Sequence, residues 1–336
     1  MSVSLSLSMR VLVNLESLNM AESIGNVTRH RRAPVVIEDN GRYRLIYVPV
    51  VSGMSLAHHY QVHLAKAASK MGLKVTRMSL LGYFMKFSDD NIIKNHYPEV
   101  HGKFNKKNPC EAERTIVSEC VVGDIGGFLY TDGLVKRTSR FSFSYLAPTL
   151  DSLEDGAAGA YPQLHVRYTP EARKGEQALI YVDNASALYT LSFLLEADKI
   201  SKLDVCASLG QKPDDLGTAE RVKRFEAAVQ ALIAMLGNLG FGAKRTRSLP
   251  HWKVESAVVA AAKGVAPFVA SPGHSKDYIQ ETAKRMARQR DAGSLEEGFI
   301  AYYGQGVEAE GSSMATLEEA ILEAAEWVRA RLLKGG

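Results

Sequence analysis

Residues 3–15 set the strongest constraint on the fold. Val3, Leu5, Leu7, Met9, Val11, Val13 and Leu15 alternate with Ser4, Ser6, Ser8, Arg10 and Asn14. A repeat of two is the period of a β-strand, so the pattern predicts a long strand with one face on a core and a polar face toward solvent. Asn14 would leave that polar face near the strand's end. The same alternation argues against a signal peptide, whose apolar region is continuous behind a basic start. No apolar run reaches membrane-spanning length, and a soluble cytoplasmic protein with no membrane partner is expected.

Further along, Glu16 to Arg32 reads as a loop, and Tyr43 to Val51 as a second β segment after the turn Asn40-Gly41. Ser52 can cap a helix running to about Met71, with Leu56, Tyr60, Leu64, Ala68 and Met71 on its apolar stripe. Residues 86–112 are polar and mixed, an inserted lobe or mobile loop. Cys120 to Tyr130 has a β-like pattern with Gly123, Gly126 and Gly127 in it. Lys136 to Tyr145 alternates again, and residues 151–178 read as a projecting element. Leu188–Ala197 and Val254–Ala262 suit strands; Thr218 opens a helix that Gly240-Phe241-Gly242 ends. Helices are expected at 275–289 and 317–333, the latter with Thr316 and Glu319 at capping-box spacing. This order fits an α+β fold with a modified RRM-like (ferredoxin-like) core, an antiparallel sheet and large inserted lobes. The expected division is a discontinuous core over 1–290, an inserted lobe at 72–118, a second lobe or thumb-like hairpin at 146–180, and an acidic helical segment at 291–336.

The chain has 336 residues and a formal net charge of only +4. Bulk charge therefore says little about nucleic acid, and the placement of the charges has to say it. Cys110, Cys120 and Cys206 form no CxxC pair. Neither a zinc site nor a disulfide framework is indicated, and buried reduced thiols are expected. No metal and no cofactor is expected.

Five segments could carry chemistry. Thr28-Arg29-His30-Arg31-Arg32 concentrates guanidinium groups that match phosphate oxygens bidentately, and is equally the composition of a solvated basic loop. Gly240 to Arg247 places Lys244, Arg245 and Arg247 behind glycines that permit close approach to phosphate, although the spacing is not that of a Walker A loop. Lys136, Arg137 and Arg140 lead into Phe141, Phe143 and Tyr145, whose alternation marks them as core while the basic residues suit binding. His58, His59 and His63 lie on the predicted helix. His59 and His63 have metal-ligand spacing but no third ligand, which leaves nucleobase contact or surface exposure. His165, beside Arg167 and Tyr168, could act as a general base but has no identified partner. His251-Trp252 could stack a base, with Trp252 better read as core. Glutamates from Glu296 to Glu326 make an acidic tail that reads as a solvated helical face, of a polarity suited to head-to-tail contact between copies.

The strings LVNLESLNMAESIGNVTRHRRAPVV, YVPVVSGMSLAHHYQVHLA, VGDIGGFLY, VKRTSRFSFSYLAP and NLGFGAKRTRSLPHWKVESAVVA together resemble the archaeal CRISPR-associated autoregulator family. The resemblance runs from the first strand to about Lys284. It implies a guide-RNA-binding backbone subunit of a type I-A Cascade complex. The implied fold is an RRM-like core of the RAMP superfamily, with a thumb-like hairpin that kinks the CRISPR RNA. Copies would stack helically along the RNA beside other Cascade subunits, and target DNA would be met through the guide. By matching segment, the RNA path would use Asn14, Ser17, Asn19, Arg29, His30, Arg31, Ser52, His58, His59, Gln61, Lys136, Arg137, Arg140, Lys244, Arg245 and Arg247; His165 and Arg167 join them from the 146–180 lobe. Related type III subunits cut RNA with an acidic residue near the first loop, where this chain offers Glu22 and no Asp. The family pattern is therefore binding without catalysis.

Two other classes stand beside it. One is a metal-independent endoribonuclease processing precursor CRISPR RNA with His165 or His59 as base. The other is a DNA-binding regulator, which no helix-turn-helix pattern supports.

Overall fold

The computed structural model describes residues 1–39, 41–167, 178–246, 248–304, 306 and 308–334. Among these, the chain opens with β1 (Ser2–Glu16), the hairpin β2 (Met20–Ile24) and β3 (Val27–His30), the hairpin β4 (Arg32–Asp39) and β5 (Arg42–Pro49), and α1 (Gly53–Lys70). A helical insertion follows: α2 (Arg77–Leu80), α3 (Asp90–His96), α4 (Pro98–His101), α5 (Pro109–Glu119) and α6 (Val121–Gly126). Short strands β6 (Phe128–Tyr130), β7 (Val135–Arg137), β8 (Phe141–Phe143) and β9 (Ala147–Pro148) lead to α7 (Leu150–Glu154), β10 (Gly159–Arg167) and the long β11 (Ala178–Glu196). The remainder is α8 (Asp204–Ser208), α9 (Thr218–Gly237), β12 (His251–Gly264), α10 (Tyr278–Asp291), β13 (Leu295–Gly304), β14 (Ser312–Ser313) and α11 (Leu317–Lys334).

β1 is the centre of the sheet, antiparallel to β11 on one side and β12 on the other. β8 and β9 lie on the far edge of β11. With α1 after β1 and α9 after β11, this is the ferredoxin-like order, extended past β12 by β13 and β14. The N-terminal half of β11 leaves the central sheet and pairs with β10 and β3.

Val3 to Val13, the odd-numbered side chains of β1, are buried under α1, α9 and α11. Each large one contributes about 1.5–3 kcal/mol by leaving water. Here the expectation of a solvated polar face is corrected: Ser4, Ser6, Ser8 and Arg10 are buried too. The coil over residues 265–273 and helix α10 cover that face. The serine hydroxyls satisfy the coil's backbone, accepting the N–H groups of Phe268, Ala270 and Gly273 at 3.1 Å each. Arg10 donates to Gly273 O and pairs with Asp151 at 2.5 Å.

Ser52 caps α1 as expected, its hydroxyl accepting the Ser55 N–H, and Met71 is the C-cap. Several other expectations change. Glu16 to Arg32 is not a loop but carries the β2–β3 hairpin. Residues 121–126 form a short helix rather than a strand, because the Cys120 side chain accepts the Gly123 N–H and starts a turn. The 291–336 segment is not only helical: β13 pairs along β12 and belongs to the central sheet. Cys110 and Cys206 are joined in a disulfide between α5 and α8, and only Cys120 is free. At a sequence separation of 96, no local pattern announces that bond.

Candidate nucleic-acid interface

β1 ends in a sharp reversal. Leu15 has φ +60°, and its N–H is received by the Ser186 hydroxyl at 3.0 Å. The following turn, residues 15–19, becomes the floor on which three other segments assemble. Arg31 N donates to Asn19 O at 2.8 Å, so the basic stretch after β3 docks here. Asn19 Oδ1 accepts the Ser52 N–H at 2.9 Å, which brings the start of α1 alongside. Ala243 N donates to Leu18 O at 2.8 Å and Ser248 Oγ to Leu15 O at 2.6 Å, so the basic loop after α9 closes the third side. That loop approaches so closely that a Cβ at Gly242, which has φ +94°, would collide with Leu18. His63 Nε2 on α1 lies 2.8 Å from Gly240 O and ties the loop to the helix.

These contacts bring Asn19 and Arg31, Ser52 and His59, and Lys244 and Arg245, from three separate stretches of the chain, around one site, the candidate groove. Two of its guanidinium donors, Arg31 Nε and Arg245 Nε, are buried and bond to nothing among the described residues. The same is true of Arg114 Nε and Arg140 Nε away from this site, so these buried atoms do not by themselves mark a ligand. His59 is held below its ordinary pKa first by burial and then by the neighbouring charges of His58, His63 and Arg245. Its Nδ1 lies 2.7 Å from Ser55 O and must carry the proton, leaving Nε2 as an acceptor for a hydroxyl or base N–H. Arg29 is exposed on β3, opposite Glu22 on β2.

Beneath the groove lies a buried network. Glu16 Oε1 accepts the Tyr189 hydroxyl at 2.9 Å and sits 2.7 Å from His30 Nε2, while Glu16 Oε2 accepts the Leu18 N–H at 2.7 Å. His30 Nδ1 meets Arg31 O at 2.9 Å. Burial opposes a charge on His30, but the bonds to Glu16 and Arg31 outweigh it and raise its pKa. His30 is therefore a support for the groove rather than part of its surface. Ser17 is likewise buried, its hydroxyl donating to Asp183 O at 2.9 Å and meeting Asn184. Glu16 and Asp183, whose carboxylate receives the His30 N–H at 3.1 Å, escaped the sequence reading because nothing local marks a buried carboxylate.

Other expected residues fall elsewhere. Arg137 is fully buried, paired with Glu113 and Asp124 and donating to Lys202 O. Arg140 pairs with Asp204 at 2.7 Å, its side chain only 3% exposed. Neither guanidinium is available to RNA. The Arg140 carbonyl accepts from Glu196, which pairs with Ser4, whereas the groove begins at Glu16. Twelve residues of strand separate them, roughly 40 Å at ~3.3 Å per residue. Lys136 is exposed at that distant end. Gln61 is buried, donating to Ala57 O and accepting from Lys86 Nζ. His58 is exposed and packs edge-on against Phe84. Asn14 pairs across to His251 on β12. His165 is exposed on β10 and its side chain makes no hydrogen bond among the described residues. Arg167 ends β10; Arg247 lies outside the described residues. Trp252 packs on the core, edge-on to Phe241.

Among the described residues no group of His, Cys, Asp or Glu could hold a metal ion, and no helix is long and apolar enough to cross a membrane.

A ferredoxin-like sheet covered on both faces, with basic segments gathered at the end of its first strand, defines an α+β protein of the RRM-like class. A family model described as the CRISPR-associated negative auto-regulator DevR/Csa2 matches residues 7–283, and the chain belongs to that family. It is 38% identical over 326 residues to the CRISPR-associated aCascade subunit Cas7/Csa2 2 of Saccharolobus solfataricus, spanning 95% of this chain and 98% of that protein. With the same organism's CRISPR-associated protein Cas7/Csa2 1 it shares 35% over 287 residues, 82% and 84% of the two chains. Among solved structures, a chain of a CRISPR RNA-guided surveillance complex in a pre-nicking state superposes with a TM-score of 0.56 over 97% of this chain and 99% of that one. Its 7% identity speaks to the fold alone.

Proposed function

We propose that this chain is a crRNA-binding backbone subunit of a type I-A Cascade complex, oligomerising along the guide and presenting it for pairing with target DNA. The observation that carries the reading is the pair of basic segments around Arg31 and Lys244-Arg245 that the backbone bonds Arg31 N to Asn19 O and Ala243 N to Leu18 O gather at the turn after β1. Phosphate oxygens are the acceptors such a pair fits, and a grip on sugar and phosphate leaves the bases free to pair. Membership of the DevR/Csa2 family and the similarity to an aCascade subunit support the same reading. The reading assigns the subunit binding rather than catalysis, a point that the cleavage arm of the test below decides. The paired strands β10 and β11 supply the candidate for the thumb-like element that would reach over the RNA.

Binding of full-length protein to a labelled single-stranded CRISPR RNA across a salt series, with the RNA checked for cleavage, tests this. Intact RNA should bind with a log–log salt slope of roughly −0.7 per phosphate neutralised. Arg31→Ala and Arg245→Ala should each make the slope shallower by about that amount. Cleavage lost on His59→Ala or His165→Ala would replace this reading with a ribonuclease, and absence of binding by folded protein would overturn it.

A further inference from the structure

The β4–β5 hairpin stands apart from the central sheet and is two strands only. Isolated two-stranded hairpins are marginal in water, so one face should be packed and the other polar. One face is packed: Ile37 and Val48 are buried. The opposite face is not polar. The register sets Arg32 against Pro49, Pro34 against Tyr47, Val36 against Leu45 and Glu38 against Tyr43. Tyr43 is 81% exposed, Tyr47 66%, Leu45 57% and Val36 56%. Contiguous exposed apolar surface of this kind marks an interaction site.

We propose that this face is a stacking platform for unpaired bases of a single-stranded nucleic acid, a second binding surface continuous with the groove. The inference rests on the RNA-binding reading above and adds a subsite to it. Three observations select nucleic acid as the occupant. The face is chain-continuous with the groove, because Arg32 follows Arg31 directly and Val50 N closes the hairpin onto Arg31 O at 3.0 Å. The exposed Arg32 heads the platform's row at its root, supplying a cation where a backbone leaving the groove would arrive. Beyond it the two tyrosine rings stand four residues apart on one strand, roughly 13 Å at ~3.3 Å per residue, with Leu45 between them. Rings at separate points over an aliphatic floor accept any base, since every base has a π-face. The occupant is the guide strand itself, because the platform begins at Arg32, next to the Arg31 site that would hold that strand's backbone.

The test uses full-length protein and labelled oligo(A) and oligo(U) RNA with the matching DNA strands, read by anisotropy over a salt series. Tyr43→Ala with Tyr47→Ala should weaken binding by about tenfold or more per ring, leave the salt slope unchanged, act alike on RNA and DNA, and act more strongly on oligo(A). Tyr43→Phe with Tyr47→Phe should restore binding, which a fold defect would not allow. A loss confined to RNA or to DNA would mean that the sugar rather than the base face is read, and would overturn stacking. Unchanged affinity of the Ala variant overturns the proposal, and if sedimentation then shows weaker self-association the face is a contact between copies. If the wild-type protein binds no strand, the proposed function fails first, and that result is distinct from a wild type that binds and an Ala variant that binds equally well.

Discussion

Asn19 Oδ1 accepts the backbone N–H of Ser52 at 2.9 Å. One side chain thus couples the turn after β1 to the N-cap residue of α1, and both line the candidate groove. Asn19→Ala removes the acceptor and leaves the half-buried N–H unsatisfied. The expected loss of stability is about 1 kcal/mol, measured by urea denaturation, with a larger proportional loss in RNA affinity as the turn and helix start separate.

Arg137 and Lys136 are neighbours in sequence with opposite fates. Asp124 is buried, which alone would raise its pKa, yet Arg137 and Arg224 hold its carboxyl below the usual range. Burial pushes Glu113 up, offset in part by Arg137 and the backbone N–H groups of Val205 and Cys206. Arg137→Ala leaves buried Glu113 with backbone N–H partners alone and Asp124 with one guanidinium instead of two, and should destabilise the fold by roughly 3–5 kcal/mol. Lys136→Ala should be nearly neutral. Equal midpoints for the two variants in chemical denaturation would contradict this assignment.

The raised pKa of His30 gives a signed pH dependence. A group whose pKa is higher in the folded state contributes stability fully below its unfolded value of about 6.5. That contribution is lost as pH rises through the folded value. Wild-type stability should therefore fall between about pH 6.5 and higher pH by more than that of His30→Gln, compared by denaturation at matched ionic strength.

The Cys110–Cys206 bond pins the helical insertion to the segment before α9. Closing a loop of about a hundred residues is worth roughly 4–5 kcal/mol in the chain-entropy account. Reductant should lower the melting temperature of the wild type and leave Cys206→Ser, already lowered, unmoved. A reductant-insensitive wild type would show that the thiols are free.

The sequence made the local elements plain where local rules decide them. The alternation of β1 and the Ser52 cap of α1 both rest on neighbours a few residues away. Which face of β1 meets water was not legible, because the coil that covers Ser4, Ser6 and Ser8 comes some 260 residues later. The groove was half legible. Arg31, Asn19, Ser52 and Arg245 converge, while Arg137 and Arg140 turned inward because their acids, Glu113, Asp124 and Asp204, lie elsewhere in the chain. A basic string looks the same whether its counter-charges are phosphates or distant carboxylates.

The serine row of β1 also bears on how this chain can change. Three hydroxyls spaced two residues apart each hold a backbone N–H of the 265–273 coil. The coil is thereby indexed to the strand like a rack against a pinion, although it makes no ladder of its own. Exposed side chains along it, such as Val265 and Val269, can be exchanged while the backbone bonds persist, whereas a Cβ at Gly273 would press on Thr190 and Arg10. Adding or removing one residue would slip every bond at once and unseat Arg10 from Gly273. The segment should vary at its exposed positions and stay fixed in length.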